Sequence, residues 1–415
     1  MAESDRYLQS RAWFERAEAV IPGGVYGHQS PAMLTRGSYP FFITEAEGCR
    51  LRDPDGNEYI DFLCSYGPIV LGHRHPEVER AASAQRALTN AGNLPSTNIV
   101  ELAERLTSMT PGADWAMFAK NGSDVCSWAL AVARQATGRQ TVAMVDGTYH
   151  GVHGWCNGVQ RGFPDSDRAS VAGFAWNDLA GLDGIFDRHD GDVAAVIVTP
   201  FRHEAFADQV MPASDFLGGV RERCTRHGAV MIVDDVRAGF RLHLGGSTQC
   251  WGVEPDVLCY SKALANGYAL AAMLGRDELR EAAGQVFVTG TFFTEAVPIA
   301  AALATLEVLE REDAPAELER IGRRFCDGLA SAATGRGLAV TLSGPPSIPF
   351  MSFDADEGSF RRSRRFAGVA AESGVFLHPV HNWFVALAHD DATVDRALEI
   401  CDGALAVVAD EFGRG

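Results

Sequence analysis

The sequence predicts an α/β fold in which a large domain with a mainly parallel central sheet is joined to a smaller α+β domain. Two apolar runs, residues 193–199 and 229–233, are continuous and bounded by polar turns, which is typical of strands buried on both faces of a parallel sheet. Segments with a helical period, residues 98–107 and 125–134, alternate with such runs. The chain has 415 residues, 47% of them hydrophobic, whereas a single core stops growing at about 250–300 residues. Two packed domains are therefore expected.

The remaining elements follow from local patterns along the chain. A helix is predicted to about Arg16, and alternating runs on either side of Asp55-Gly56 predict a hairpin. A helix rich in Ala and Leu is predicted from Pro298 to about Glu310. For the last third of the chain we expect a closing helix and short strands at 339–344, 375–380 and 383–389. The expected limits are 1–60 for an N-terminal segment that packs with the small domain, 61–300 for the large domain and 301–415 for the small domain.

Charge and cysteine content argue against several classes of function. The 54 acidic residues outnumber the 36 basic ones and leave a net charge of −18, whereas a protein that binds nucleic acid needs a basic face. The acidic excess suits a cationic substrate.

No run approaches the ~18 apolar residues that cross a bilayer, and residues 1–10 lack the apolar region of a secretory signal. The nine cysteines form no C-x-x-C pair, so we expect no metal site and a reducing, cytoplasmic compartment.

Lysine is almost absent from the chain, which draws attention to the two positions that have it. Lys262 follows a short apolar strand, residues 257–260, and precedes a loop that contains Gly267. A lysine shielded by apolar neighbours at a strand end can have its pKa lowered enough to act as a Schiff-base nucleophile. The alternative is an ordinary surface lysine, which is less expected in a chain where 34 of the 36 basic residues are arginines. Lys120 is the only other candidate for lysine chemistry.

Three more segments at predicted strand ends are candidates for a site. Asp234 and Asp235 end a buried strand, where open α/β sheets bind ligands, although both carboxylates could equally cap the following turn. Gly122 and Ser123 precede a helix, so they form either a phosphate cradle or an ordinary N-cap with Ser123 as the cap. Tyr149 follows another strand, where it stacks on a flat cofactor ring or has a structural role.

Taken together, these segments resemble the class III pyridoxal-phosphate (PLP) aminotransferases, and within them the branch similar to glutamate-1-semialdehyde aminomutase. The resemblance covers nearly the whole chain. The segments that carry it are IPGGV (21–25), DPDGNEYIDF (53–62), SYGPIVLGHRHP (65–76), NGSD (121–124), GTYHG (147–151), DDVRAGFR (234–241), PDVLCYSKALANG (255–267) and TGTFFTEAVPIAAA (289–302). The resemblance implies the type I fold of PLP enzymes, PLP as cofactor, and a homodimer with shared active sites.

The resemblance also implies roles for the matched positions. Lys262 would form the Schiff base with the cofactor and shuttle the proton of the reaction, and Asp234 would keep the pyridine nitrogen of the ring protonated. Tyr149 and Val236 would contact the two faces of the ring. The residues expected to hold the phosphate are Gly122 with Ser123 from one subunit and Gly290 with Thr291 from its partner.

The resemblance fails at the positions that would grip a substrate carboxylate. Where the aminomutases have an arginine, this chain has Met33 in the segment SPAM, after a one-residue insertion, and their substrate-contacting glutamate falls on His381. Loss of an arginine that pairs with a carboxylate is not conservative, so glutamate-1-semialdehyde is not expected as the substrate. The residues expected around the substrate are Tyr26, His28, Gln29, Cys64, Tyr66, Trp155, His203, Glu204, His381 and Trp383.

These side chains suit a polar, bulky substrate that is not anionic at its reacting end. Residues 22–31 and 234–242 are also similar to aminotransferases of aminoglycoside biosynthesis. The leading interpretation is therefore a PLP-dependent aminotransferase for an aldehyde or ketone of an amino sugar, such as the 6′ position of an aminoglycoside. The alternative is an isomerase with the same cofactor, an epimerase or aminomutase, which requires a second acid/base opposite Lys262. The candidates for that second group are Cys64, Tyr66 and His381. A regulator that binds the cofactor without catalysis is disfavoured by the intact lysine and aspartate.

Overall fold

The computed structural model describes residues 5–30, 33–35, 37–159 and 161–413, without the side chains of Asp5 and His28. Within these ranges the α-helices are α1 Leu8–Glu18, α2 Pro76–Leu88, α3 Asn98–Met109, α4 Gly122–Thr137, α5 Leu179–Arg188, α6 Phe216–His227, α7 Arg280–Gln285, α8 Ala296–Arg311, α9 Ala314–Gly335, α10 Arg361–Glu372 and α11 Asp391–Phe412. The strands are β1 Glu45–Glu47, β2 Arg50–Arg52, β3 Glu58–Asp61, β4 Trp115–Ala119, β5 Thr141–Val145, β6 Val171–Phe174, β7 Val193–Val198, β8 Val230–Asp234, β9 Val257–Tyr260, β10 Ala271–Gly275, β11 Val340–Ser343, β12 Phe350–Phe353 and β13 Val375–Phe376.

One compact unit, called the large unit below, contains Pro76–Glu204 and Val210–Ala316. Its sheet has the strand order β4-β10-β9-β8-β7-β5-β6. The five strands β9, β8, β7, β5 and β6, which are adjacent in this order, are parallel. Strand β10 is antiparallel to both β9 and β4. The runs predicted as strands at 193–199 and 229–233 correspond to β7 and β8, and every residue of both strands is buried. The predicted mainly parallel sheet is therefore confirmed.

The helices predicted at 98–107 and 125–134 are α3 and α4. Helix α4 begins at Gly122 because Asn121 and Asp124 form a capping box. The helix gives way at Gly138, whose φ of 69° lies in the left-handed region that glycine adopts without strain. The apolar face of α4 is buried in the core against the sheet, which fixes the start of the helix beside the carboxyl end of β4.

The second compact unit, called the small unit, contains Met1–His75, Ala205–Gln209 and Glu317–Gly415. Its four-stranded sheet has the order β1-β2-β3-β13. The predicted hairpin is present, since β2 and β3 are antiparallel and pair Leu51 with Tyr59. Its turn is stabilised by Asp53, whose Oδ1 accepts hydrogen bonds from the backbone N–H groups of Asp55 and Asn57. The strand predicted at 339–344 is β11, which pairs with β12.

The strand predicted at 383–389 is wrong. The N–H of Trp383 bonds to the carbonyl of Pro349 at 2.7 Å, while the next N–H, of Phe384, bonds to the carbonyl of Phe62 at 2.7 Å. Successive residues thus bond to different segments and form no ladder with one neighbour. The strand predicted at 375–380 is shorter than expected, because β13 pairs with β3 at two positions only. An alternating apolar pattern indicates that a segment is buried. It does not indicate whether its backbone hydrogen bonds go to one neighbouring strand or to several segments.

Apart from the short segment 205–209, the chain passes from one compact unit to the other after residues 75 and 316. The sequence predicts domain limits at residues 60 and 300. Compact units defined by contacts do not test where folding domains begin and end, so the predicted domain limits stay a prediction. Among the described residues, no helix is both long enough and apolar enough to cross a membrane.

Candidate active site

The candidate residues of the large unit follow strands that end at the same edge of its sheet. Strands β9, β8 and β5 run parallel, and β4 has the same direction because β10 is antiparallel to both β4 and β9. Asp234 ends β8, and Gly122, Tyr149 and Lys262 follow β4, β5 and β9 respectively. This carboxyl edge is where open α/β sheets bind ligands. The topology therefore brings to one edge four candidates that are far apart in the sequence.

Asp234 is almost fully buried, at 6% exposure. Its Oδ1 accepts a hydrogen bond from the backbone N–H of Val236 at 3.1 Å, and its Oδ2 lies 2.8 Å from Nδ1 of His150. Capping of the following turn, the alternative that the sequence left open, accounts for the first contact and not for the second. A buried carboxylate held by an imidazole has the chemistry to pair with a protonated ring nitrogen of a ligand.

Sequence reasoning did not assign a role to His150, although it stands next to Tyr149. Its Nε2 lies 3.1 Å from Oγ1 of Thr148. The Thr148 hydroxyl also donates to the carbonyl of Val145 at 2.7 Å. The Asp234 carboxylate only accepts hydrogen bonds, so the contact with Nδ1 of His150 requires a proton on that nitrogen. A histidine directly after a buried strand, beside a candidate ring-stacking residue, was the signal available in the sequence.

Lys262 opens a short 3-10 turn with a backbone φ of 36°. This left-handed conformation is strained in a residue other than glycine, and such strain is concentrated at functional sites. Burial of the ammonium group, together with the positive charge of Arg237, lowers the pKa of Lys262 well below its ordinary value, and Asp234 opposes this only in part. The amine is therefore available as a neutral nucleophile much closer to neutral pH than an exposed lysine.

Arg237 is the source of a buried positive charge in this site. Burial lowers the pKa of Arg237 to about 10, so the guanidinium is still protonated at neutral pH. Burial, and then the positive charge of Arg237, lower the pKa of His203 well below its ordinary value. His203 is therefore neutral at pH 7 and able to accept a hydrogen bond.

The start of α4 has the geometry of an anion-binding site. The first N–H groups of a helix have no acceptor within the helix, and Gly122 and Ser123 are the first two residues of α4. The Ser123 hydroxyl accepts a hydrogen bond from the N–H of Val152 at 3.2 Å, so its own proton remains to be donated to a ligand oxygen. The N-cap position belongs to Asn121 and not to Ser123, which removes the ordinary N-cap explanation for the serine.

Val236 packs directly against this helix start. A Cβ added at Gly122 would lie 2.8 Å from Cγ2 and 2.9 Å from Cγ1 of Val236, closer than side-chain carbons approach. Glycine at 122 therefore lets Val236 and the anion site lie side by side. Tyr149 is 42% exposed, which leaves part of its ring open to a ligand. That Val236 and Tyr149 contact opposite faces of a ring stays a prediction.

Asp235 has a different environment from its neighbour. It is fully buried, and its Oδ2 accepts a hydrogen bond from the N–H of Ser247 at 2.7 Å. Burial raises the pKa of Asp235 to about 7, although its bonds with Ser247 act in the opposite direction. The two aspartates are thus distinguished by their partners, His150 for Asp234 and Ser247 for Asp235.

Comparison with known proteins identifies the family to which the chain belongs. Residues 33–405 match the sequence profile of the family Aminotransferase class-III. The chain is a class III aminotransferase. It is 43% identical over 398 residues to the aminopentol aminotransferase of Sphingopyxis macrogoltabida, with 96% of this chain and 94% of that protein covered. It is 32% identical over 433 residues to a glutamate-1-semialdehyde 2,1-aminomutase of Desulforamulus reducens, with 98% and 99% covered.

A solved structure shows the same fold at high similarity. The PLP internal aldimine form of the FumI protein of Sphingopyxis sp. MTA144 superposes with a TM-score of 0.95 at 42% identity, and the match covers 97% of both chains. The predicted type I fold and the predicted cofactor are therefore confirmed. Class III aminotransferases use PLP, and the large unit offers what each part of PLP needs. The helix start suits a phosphate, Asp234 suits a protonated ring nitrogen, and the amine of Lys262, with its lowered pKa, suits an aldehyde.

Gly290 and Thr291 lie in the segment that precedes α8. Gly290 lines an open cavity of about 550 Å³ together with residues of α3 and β4, and Thr291 is exposed. The same segment carries two large apolar side chains that face solvent, Phe287 at 90% and Phe292 at 56% exposure. That this segment of this aminotransferase contributes to the phosphate site of a partner subunit stays a prediction.

Seven of the ten residues expected near the substrate belong to the small unit, among them Cys64, Tyr66 and His381. The ring of Tyr66 lies edge-on to His381, with 5.2 Å between the ring centroids. His381 is buried, and its Nδ1 lies 2.7 Å from the carbonyl oxygen of Asn382, which requires a proton on Nδ1. Cys64 is 1% exposed, and its Sγ lies 3.4 Å from the carbonyl oxygen of Asp61.

The turn that carries Cys64 and Tyr66 is strained. Cys64, Ser65 and Tyr66 have φ values of 48°, 57° and 64°, three consecutive left-handed residues that are not glycine. Asp61 holds the turn, because its Oδ1 accepts hydrogen bonds from the N–H groups of the two residues that begin the turn, and its Oδ2 lies 2.9 Å from Nε2 of His73. These bonds of Asp61 stabilise the backbone of the turn.

Tyr66 also lines a cavity of about 400 Å³ within the small unit. Most of its wall is apolar, with Leu34, Phe42, Leu63 and Phe376 among the lining side chains. A volume of this size is within the range of small-molecule sites, about 300–1,000 Å³.

The other expected substrate residues have varied positions. Tyr26 is 78% exposed, whereas Trp383 is 2% exposed and donates its indole N–H to the carbonyl of His378 at 2.8 Å. Trp383 is therefore a core residue, and the expectation that it stands at the mouth of the site is wrong. The side chain of His28, and Pro31 and Ala32 of the segment before Met33, lie outside the described residues. Within the described ranges, no group of three or more His, Cys, Asp or Glu residues could hold a metal ion.

Proposed function

We propose that this aminotransferase moves an amino group to or from the aldehyde or ketone carbon of a polyhydroxylated substrate that has no carboxylate at that carbon, with amino sugars as the narrower class. The feature that supports the proposal is position 33, where the resemblance to the aminomutases implies an arginine that grips a carboxylate and this chain has Met33. A methionine offers no charge to an anion.

In this proposal, the residues of the large unit have separate tasks. PLP supplies, when bound, an electron sink for the carbon next to the substrate nitrogen. Lys262 holds the cofactor and moves the proton at that carbon. Asp234, positioned by His150, keeps the pyridine nitrogen protonated, and the N–H groups of Gly122 and Ser123 hold the phosphate. Tyr149 and Val236 confine the ring.

The small unit supports a neutral, hydroxylated substrate. Tyr66 and His381 offer a phenol and an imidazole, which donate and accept hydrogen bonds without a fixed charge. Burial raises the pKa of Tyr66, so its phenol stays protonated and neutral at physiological pH. We propose that both side chains serve the substrate, together with Tyr26, His28 and Cys64.

The similar aminopentol aminotransferase supports the same class. It is 43% identical to this chain and is named for an amine with five hydroxyl groups. The apolar wall of the cavity beside Tyr66 further supports a substrate in which hydroxyl groups are joined to a hydrocarbon section. Amino sugars and long-chain amino alcohols are therefore the two substrate types to compare.

The experiment is a half-reaction with single amines. The purified PLP enzyme is mixed with an amino sugar that has a primary amine, a long-chain aliphatic amino alcohol, glutamate, or glutamate-1-semialdehyde, without any acceptor. We expect one or both of the first two to give a stoichiometric loss of the visible PLP absorbance and one equivalent of carbonyl product. Efficient turnover of glutamate-1-semialdehyde with no reaction of either hydroxylated amine would contradict the proposal.

A variant tests the role of position 33 in the same assay. Met33→Arg should increase the rate with amines that carry a carboxylate relative to hydroxylated amines. Leu8→Arg, which adds the same charge at an exposed position of α1, is the control and should leave that ratio unchanged. An equal change in both variants would show a general charge effect and not a carboxylate clamp.

An isomerase remains the second candidate, because the chain is also 32% identical to an aminomutase. An isomerase turns over its substrate without a separate amino donor, and an epimerase carries solvent deuterium into the reacting carbon. Turnover of one added amine to an isomer, with no loss of PLP absorbance and no carbonyl product, would favour this candidate over the transfer reaction.

We also propose a homodimer that completes the site, in a cytoplasmic, reducing setting. The exposed Phe287 and Phe292 support an interface, because apolar side chains of this size are costly in water. All nine cysteines are free thiols, which supports the setting. Sedimentation should give a dimer, and mixing Lys262→Ala chains with Thr291→Trp chains should restore activity in one of the two sites of the mixed dimer. A monomer with full activity would contradict this proposal.

A further inference from the structure

Lys120, the only lysine besides Lys262, forms an ion pair that the proposed reaction does not use. Its Nζ lies 2.5 Å from Oε2 of Glu295 and also donates to the carbonyl oxygen of Ala269 at 3.2 Å. The side chains of the pair are only 15% and 20% exposed. The ion pair is thus partly shielded from water, where a charge-assisted bond has more effect than at an open surface.

Glu295 is fixed from a second side by Asn90. The side-chain amide of Asn90 donates to Oε1 of Glu295 at 2.7 Å, and its Oδ1 accepts the N–H of Val297 at 3.1 Å. The carbonyl of Asn90 accepts the N–H of Ala296 at 2.9 Å. Both carboxylate oxygens of Glu295 are therefore bonded, and the start of α8 cannot shift without breaking these bonds.

Three segments meet at the Lys120 ammonium, and each is part of the proposed cofactor site. Lys120 itself stands two residues before Gly122 at the start of α4. Ala269 ends the loop that follows the reactive Lys262, and Glu295 ends the segment that contains Gly290 and Thr291.

The residue type at this position is itself informative. Only two of the 36 basic residues are lysines, so arginine is the ordinary cation of this chain. A lysine ammonium is compact and has three donors that rotate, whereas a guanidinium is a wider planar fork. At position 120 a single nitrogen lies within 3.2 Å of both a carboxylate and a carbonyl oxygen, a geometry that suits the compact group.

We propose that Lys120 is a positioning residue that holds the start of α4, the loop after Lys262 and the segment 290–295 in the arrangement that binds the cofactor phosphate. This inference rests on the proposed PLP site of the chain. It gives the second lysine a role in cofactor retention, which it exerts through Glu295 and Ala269 and without contact with the reacting atoms.

The test measures PLP binding to apoenzymes and not only activity. Lys120→Met should weaken PLP binding at least tenfold, and Glu295→Gln should weaken it in the same direction. The double variant should be no worse than Lys120→Met alone, because the two changes remove the same ion pair. Lys120→Arg should not restore the affinity. Inorganic phosphate, used as a probe of the phosphate site alone, should protect the wild-type apoenzyme against thermal unfolding more than it protects Lys120→Met.

A second ion pair on the same helix is the matched control. Arg105 of α3 lies 2.5 Å from Glu310 near the far end of α8, so Arg105→Met removes an ion pair of α8 away from the proposed site. This variant should lower the thermal midpoint without a change in PLP affinity. If Lys120→Met does not fold, Glu295→Gln, which keeps the shape of the side chain, decides the question.

Two results would overturn the inference. They are PLP affinity of Lys120→Met within twofold of wild type, or an equal loss of affinity in Arg105→Met. In either case the wild-type enzyme would still bind PLP, so the proposed function would stand. A wild-type chain that does not bind PLP at Lys262 would instead contradict the cofactor site itself.

Discussion

Nδ1 of His150 lies 2.8 Å from Oδ2 of Asp234, and both side chains are nearly fully buried. His150→Phe removes this bond and leaves the carboxylate without a hydrogen-bond donor from the imidazole. A hydrogen bond to a charged group contributes about 1.5–3 kcal/mol, so the rate of proton removal in single-turnover experiments should fall about 10- to 150-fold. Thr148→Val removes the hydrogen bond between Thr148 and Nε2 of His150. This variant should lower the rate of proton removal by a smaller factor. A His150→Phe enzyme with the wild-type rate would show that Asp234 needs no support from the imidazole.

The two adjacent aspartates should respond differently to the same substitution. Asp234→Asn keeps the shape and removes the charge that keeps the pyridine nitrogen protonated, so PLP should still bind while the half-reaction slows by orders of magnitude. Asp235→Asn should retain most of the half-reaction rate, because Asp235 bonds to Ser247 and not to the His150 ring. Stopped-flow absorbance measures both. The opposite result would mean that the roles of the two aspartates have been exchanged.

The buried Asp235 should also make stability depend on pH. Its pKa is raised to about 7 in the folded chain, against about 3.9 for an exposed aspartate. A raised folded-state pKa gives stability that is fully present below the unfolded value and is lost as pH rises toward 7. Asp235→Asn cannot ionise, so its free energy of unfolding relative to wild type should increase between pH 5 and pH 8, by no more than about 3 kcal/mol. Denaturant unfolding at several pH values measures this. A difference that is constant with pH would show that Asp235 has an ordinary pKa.

A methyl group at position 122 should disturb the phosphate site through Val236. Gly122→Ala places a Cβ within 2.8 Å of Val236, and such overpacking costs about 1–3 kcal/mol. PLP affinity should therefore fall roughly 5- to 150-fold. The double variant Gly122→Ala, Val236→Ala opens the space again and should recover much of the affinity, measured by titration of the apoenzyme. Equal losses in the single and double variants would place the cause elsewhere.

The sequence was sufficient for the parts of the fold that depend on local patterns. The buried runs that became β7 and β8, and the helical periods that became α3 and α4, depend on residues that are close together in the sequence. The strand predicted at 383–389 failed because its hydrogen bonds depend on Pro349 and Phe62, which are distant in the sequence. Local apolar pattern carries no information on such partners.

The candidate site shows the same division. Lys262 and Asp234 could be predicted because each stands at the end of an apolar strand and has an unusual residue type for that place. The partnership of Asp234 with His150 could not, since it depends on two parallel strands ending at one edge of the sheet. Lys120 and Glu295 are 175 residues apart in the sequence. The residues around either one do not indicate that the other is its partner.

Reduction of the PLP enzyme with borohydride, followed by peptide mapping, tests the central claim most directly. Reduction makes the bond between PLP and its lysine permanent, and the chain has only two lysines, so the label has two possible positions. The lowered pKa of Lys262 and the ion pair of Lys120 both predict that the label is on Lys262, with Lys262→Ala unlabelled and colourless. A label on Lys120, or an enzyme that stays coloured and labelled after Lys262→Ala, would contradict the account.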